Sequence, residues 1–205
     1  YESSTGGKNL VSKEDLNGNN WEYSIKKIDD RLYLSVKEPS LHGNEKIYRI
    51  PNDKCYKVTD DSIYFLRCTQ INESRRQASV VLQKIDFLND ENTRNGTQLS
   101  DPIDTDLSNA NLLFDDNLII CAYYVYFSTQ AHSDIHIYDY KNNKSAYCYL
   151  IRTRASITEI ENTGDTLILN YGDANDPSHE LHSVKYNKST MEFYDNPSIL
   201  SRNLN

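Results

Sequence analysis

Apolar and polar residues alternate in short runs along most of this chain. The period is two, as a half-buried strand requires. Trp21, Tyr23 and Ile25 fall on one side of such a run, Ile135 and Ile137 on one side of another, and Val184 and Tyr186 on one side of a third. No long segment holds a period of 3.6 well. The best helical candidate, residues 75–88, contains the β-branched pair Val80 and Val81 together with Ile85, which suit a strand as well. Clusters of Asp, Asn and Gly separate the runs, and these are turn residues. The pattern predicts an all-β protein.

The runs also repeat. Four tight turns, at Asp29-Asp30, Asp60-Asp61, Asp115-Asp116 and Gly164-Asp165, each lead into an apolar strand. A polar loop follows each strand, then an alternating strand that ends in an Asn/Asp/Lys turn, such as residues 139–144 or 187–190. A further short strand often comes next, as at 145–150 and 190–194, and another candidate precedes the acidic turn, as at 21–28, 111–114 and 157–160. Four strands per unit make the blade of a β-propeller.

In these four acidic turns and the strands after them, over about residues 20–195, the chain resembles bacterial β-propeller proteins built from tandem D-D-x-(I/L)-Y blades. Many of those are exported proteins or lipoproteins. The resemblance implies a small propeller-like arrangement of about four four-stranded units. An antiparallel β-sandwich or meander is the alternative. The turns are unevenly spaced: 31 residues from 30 to 61, 55 from 61 to 116, and 49 from 116 to 165. Between Lys54 and Thr59 there is room for one strand, where a complete blade boundary needs two. Residues 1–20 are polar, with Gly-Gly and Asn-Gly pairs, and read as a flexible lead-in to a single all-β domain over 21–205.

Composition narrows the function classes. With 22 Lys+Arg against 30 Asp+Glu, the net charge is -8, which disfavours nucleic acid, because phosphate contacts need clustered basic residues. No apolar run is long enough to span a membrane. The start at Tyr1, without an initiator Met, fits a removed signal peptide or a lipid tether ahead of it. Cys55, Cys68, Cys121 and Cys148 form no CxxC pair. Neighbour pairing, Cys55–Cys68 and Cys121–Cys148, would place two disulfides around local hairpins, the first contributing about 3 kcal/mol. Four even cysteines favour a periplasmic or extracellular location.

Candidate chemistry is sparse. There is no G-x-S-x-G turn to present a nucleophilic serine. The pairs His132/His136 and His179/His182 have helical metal spacing but lie on strand-like flanks, and His136 and His182 read as equivalent structural slots in two repeats. Residues 104–115 mimic a calcium loop, but Asn109 replaces its turn glycine and Asp115 its bidentate Glu. Neither a metal nor a cofactor is expected. Glycoside hydrolysis needs two carboxylates held across a sugar, and acidic loops such as the one holding Asp173, Asp176 and Glu180 are expected anyway at this composition. The run Tyr123, Tyr124, Tyr126 and Phe127 splits across two faces, with Tyr124 and Tyr126 on one. Tyr offers large contact area at low entropic cost, so that face is a candidate binding surface.

The expectation is a non-catalytic exported protein that binds another protein through Tyr124, Tyr126, Asp173, Asp176 and His179. Its concrete form is a periplasmic immunity protein that neutralises an antibacterial toxin by direct binding, the acidic loops plugging a basic cleft. A carbohydrate- or small-ligand-binding β module is the alternative, with a hydrolase using the acidic loop residues behind it.

Overall fold

The computed structural model describes residues 6–38, 43–88, 95–127, 130–151, 153–194 and 199–203. The chain divides into two compact units, Tyr1–Ile103 and Asp104–Asn205. In the first, β1 (Gly6–Glu14), β2 (Asn20–Ile28), β3 (Arg31–Lys37) and β4 (Glu45–Ile50) form one antiparallel meander. A second contains β5 (Tyr56–Val58), β6 (Ser62–Asn72), β7 (Gln77–Asp86) and β8 (Thr97–Gln98). Strand β9 (Ile103–Asp106) straddles the boundary. The second unit holds β10 (Asn111–Asp115), β11 (Leu118–Phe127), β12 (Gln130–Asp139) and β13 (Lys144–Ile151), then β14 (Ala155–Asn162), β15 (Thr166–Asp173), β16 (Leu181–Asn187) and β17 (Glu192–Tyr194). The last strand, β18 (Ile199–Asn203), returns to pair with β13. The protein is therefore all-β and built from four antiparallel sheets, each with four strands in chain order and two of them with a fifth, as the repeat implies. Among the described residues the one helical element is a single 3-10 turn, Glu73–Arg75, just ahead of β7.

The uneven spacing of the acidic turns has a topological cause. In the second, third and fourth sheets the turn joins the first strand to the second: β5 to β6, β10 to β11 and β14 to β15. In the first sheet it joins the second strand to the third, β2 to β3, with Asp29 and Asp30 both at positive φ (48° and 61°) in a two-residue hairpin turn. That sheet has an extra strand in front of the repeat, β1, and none after β4. The missing fourth strand shortens the first interval and leaves β5 alone between Lys54 and Thr59. The repeat's closing turn is also visible at side-chain level. Asp139 at the end of β12 accepts the Lys141 and Asn142 amides (3.1 Å each), and Asn187 at the end of β16 accepts those of Ser189 and Thr190 (2.9 Å each).

Strand β1 corrects the reading of a flexible lead-in for residues 6–14. It pairs with β2 from Gly6↔Lys27 to Glu14↔Asn20, through one bulge, and its Leu10 and Val11 pack on the core. Asp15 then closes the turn. Its carboxylate accepts the Asn17 and Asn19 amides and the Trp21 indole N–H, all at 2.9 Å, and these bonds lower its pKa to about 2, the indole contributing most. Polar composition had hidden a strand because β1 lies at a sheet edge, where most side chains face water.

Each unit has a core shared by its own two sheets. In the first, Trp21, Tyr23, Ile25, Leu34 and Tyr48 pack with Ile63, Phe65, Ile85 and Phe87. In the second, Ile120, Ile135, Ile137, Cys148 and Leu150 pack with Leu167, Leu169, Tyr171, Val184 and Tyr186. Strands with clean alternation, such as β2 and β15, bury one side. Strands with continuous apolar runs bury both: Ser62–Leu66 in β6 and Leu118–Tyr124 in β11 are buried at every position.

The expected disulfides are absent, for geometric reasons. None of the four cysteines is in a disulfide. Cys55 sits opposite Leu66, whose amide donates to its carbonyl, rather than opposite Cys68. Cys121 on β11 and Cys148 on β13 have β12 between them, which separates them by about 9–10 Å, beyond disulfide reach. Cys121 pairs with His136, and Cys148 with its neighbour Ile135, so the two thiols also point to opposite faces.

Candidate functional site

The acidic residues singled out in the sequence come together in the loop between β15 and β16. Asp173 ends β15, and its Oδ1 accepts the amides of Arg154 and Asn175, both at 2.9 Å. The Ala174 amide returns to the Arg154 carbonyl at 3.1 Å, tying the loop's first residue to the start of β14. Two turns follow. The Asp176 amide donates to the Asp173 carbonyl (3.0 Å), and the His179 amide to the Asp176 carbonyl (3.2 Å). Pro177 fixes one backbone angle of the second turn, and His179 takes the left-handed conformation at φ 55°.

Asp176 holds the second turn from inside. Its Oδ1 accepts the Ser178 hydroxyl at 2.7 Å and the Ser178 amide at 2.9 Å, while Oδ2 lies 2.8 Å from Nε2 of His182. The Ser178 hydroxyl is the largest cause of a pKa lowered to about 2, followed by its amide and then His182, so Asp176 is ionised throughout the neutral range. The His182 ring leans on Tyr171 of β15, centroids 5.6 Å apart. Asp173 and Asp176 thus face into the loop, while Asn175, Ser178, His179 and Glu180 face water and Leu181 beyond them is 69% exposed.

The order of these groups differs from that of a serine hydrolase. A serine hydrolase places the imidazole between the hydroxyl and the carboxylate, so that the base can take the proton. Here the carboxylate is in the middle, and both Ser178 and His182 bond to it. Asp176 is a scaffold for the loop. Sequence reasoning chose His179 as its companion, but His182, set aside as structural, is the residue that reaches it.

The tyrosine patch divides differently. Tyr124 is 7% exposed, with the Arg154 guanidinium 5.2 Å from its ring centroid, so it is a core residue offering little area to a partner. Tyr126 pairs through its backbone with Ala131, and its side chain lies outside the described residues. On the opposite face of the same sheet, His136 is 1% exposed and stacks flat on Tyr147, with centroids 4.2 Å apart and planes 6° apart. Neither of its ring nitrogens has a hydrogen-bond partner among the described residues, and burial lowers its pKa to about 4. Nearby, the His132 ring packs against Tyr149 at 4.4 Å with the planes tilted by 36°, and it stands 3.6 Å from Asp134, whose pKa burial raises. No three potential ligands converge on a metal position among the described residues. Asp106 instead caps a turn, accepting the Ser108 amide at 2.7 Å. Burial also pushes the thiols of Cys68, Cys121 and Cys148 up to about 12, which keeps them protonated and poor as nucleophiles.

No protein-family model matches the chain, and a search of curated proteins finds no significant relative.

Proposed function

We propose that this chain is a non-catalytic protein-binding protein, and that the β15–β16 loop is a principal contact surface. The observation that carries the reading is the internal bonding of that loop. Asp173 and Asp176 are spent on its own backbone and on His182, which fixes the exposed positions Asn175, Ser178, His179 and Glu180 before any partner arrives. A pre-ordered loop loses less conformational entropy on association. Its carboxylates, within a chain of net charge -8, favour a partner with a basic surface and speed the encounter. Inhibition of a basic cleft on an antibacterial toxin is the concrete form of the proposal.

The compartment stands apart from this reading, because the absence of disulfides among the four cysteines removes the disulfide argument for export. The carbohydrate alternative relied on Tyr124 and Tyr126 as a sugar platform. It is not carried further, since Tyr124 is buried. The test is affinity capture from the source organism with the full chain as bait. A stoichiometric, salt-sensitive protein partner is expected; a bait at micromolar concentration that retains nothing contradicts the reading.

A further inference from the structure

A second surface, in the first unit, has the chemistry to engage such a partner. Leu16 sits in the polar turn between β1 and β2 and is 72% exposed; Leu88, just past the end of β7, is 59% exposed. With Asp61 and Asp86 they line an open depression of about 320 Å³. Two leucines held this far out of the core leave apolar surface in water that a partner can cover.

The two carboxylates differ. Asp86 is already committed: Lys84 lies 2.6 Å from its Oδ1 and the Ser62 hydroxyl donates to the same oxygen at 2.8 Å. The Lys84 ammonium is further held over the Tyr64 ring at 5.6 Å. Asp61 accepts the Thr59 hydroxyl at 2.8 Å, and the Lys84 ammonium bonded to Asp86 also acts on it electrostatically. The Thr59 hydroxyl lowers its pKa and keeps it ionised. Exposed Asp60 adds a further negative charge beside it, while the Lys13 ammonium stands over the Phe87 ring at 5.4 Å. The depression therefore joins apolar walls to an excess of negative charge, with Asp60, Asp61 and Asp86 set against the one ammonium of Lys84. A long basic side chain matches that combination, its methylenes covering the leucines and its charge meeting Asp61.

We propose that this depression receives a Lys or Arg side chain, flanked by apolar residues, from a partner protein. The proposal rests on the protein-binding reading above and adds a contact separate from the β15–β16 loop. The probes are three capped tripeptides, Leu-Arg-Leu, Leu-Gln-Leu and Leu-Glu-Leu, titrated into the isotope-labelled full chain and followed by amide NMR shifts. Shifts centred on Leu16, Asp61, Asp86 and Leu88 are expected with the Arg peptide, at least about tenfold weaker with the Glu peptide, and reduced by salt. They should vanish in a Leu16→Ser/Leu88→Ser variant, which keeps the fold because both side chains are exposed. No shifts at these positions with the Arg peptide, or an equal response to the Glu peptide, overturns the pocket. Either result leaves the loop reading intact, since that one is tested by capture of a whole partner and by loop variants.

Discussion

His136 and His182 stand on the third strands of two successive sheets, β12 and β16, and read in the sequence as the same slot. Their surroundings are opposite. His136 is buried against Tyr147 with no hydrogen-bond partner among the described residues, and burial alone sets its low pKa. His182 is partly exposed and bonded to Asp176, where it helps fix an acidic loop. The difference lies in what surrounds each strand. β11 beside His136 is apolar on both faces, so its sheet is covered on both. β15 beside His182 alternates and ends in a polar loop, so one edge of that sheet stays wet. Repetition of a strand pattern fixes the scaffold; the loops and the second faces decide which residues are available to a partner.

The contrast can be broken first at Tyr124, on the buried side. Tyr124→Ala should destabilise the second unit by about 3–5 kcal/mol, as loss of a buried aromatic does, measured by urea unfolding. A loss below about 1 kcal/mol would show that Tyr124 is not core.

His136 gives a pH signature. Its folded pKa, about 4, lies below the ordinary 6.5 of an unfolded imidazole, so the unfolded chain binds the extra proton first. Stability is therefore complete above pH 6.5 and falls as the pH drops towards 4, by about 3 kcal/mol at most. Asp134 acts in the opposite sense, since its raised pKa favours the folded state as it protonates. Carboxylates with lowered pKa, such as Asp15 and Asp176 near 2, lose their contribution only at lower pH, as they protonate between their ordinary value of 3.8 and 2. His136→Phe keeps the stack on Tyr147 and should flatten the slope between pH 6.5 and 4 while leaving the lower branch. Identical slopes in the two proteins would refute a buried neutral imidazole.

A smaller, local effect is expected on the exposed side. Asp176→Ala removes the acceptor for Ser178 and His182 and should accelerate amide exchange at Ser178 and His179 by roughly tenfold, with global stability little changed. Unchanged exchange would mean that the loop is ordered by something other than Asp176.

Much of the scaffold was legible because turn chemistry and period-two patterning are local. The four acidic turns located the hairpins, and Val80, Val81 and Ile85 made β7 a strand despite its helical alternative. Local signals failed where the answer depended on a neighbouring strand. β1 reads as a lead-in because an edge strand needs few apolar residues. Cys121 and Cys148 read as a pair because the sequence does not reveal that β12 lies between them. Period two put Tyr124 and Tyr126 on one face, but it cannot say that both faces at Tyr123 and Tyr124 are buried. The loop at Asp173 and Asp176 was found through its charge. The direction of those carboxylates, inward onto the backbone and His182, arises from the turns and from a residue six positions beyond Asp176.

The central claim, that the β15–β16 loop meets a basic protein surface, is tested most directly by capture with two baits. One is the natural chain; the other carries Asp173→Asn and Glu180→Gln, which remove two charges but keep side-chain oxygens to accept the loop's hydrogen bonds. The account predicts one stoichiometric partner on the natural chain and at least about tenfold weaker retention on the variant at low salt. Equal retention by both baits would contradict it.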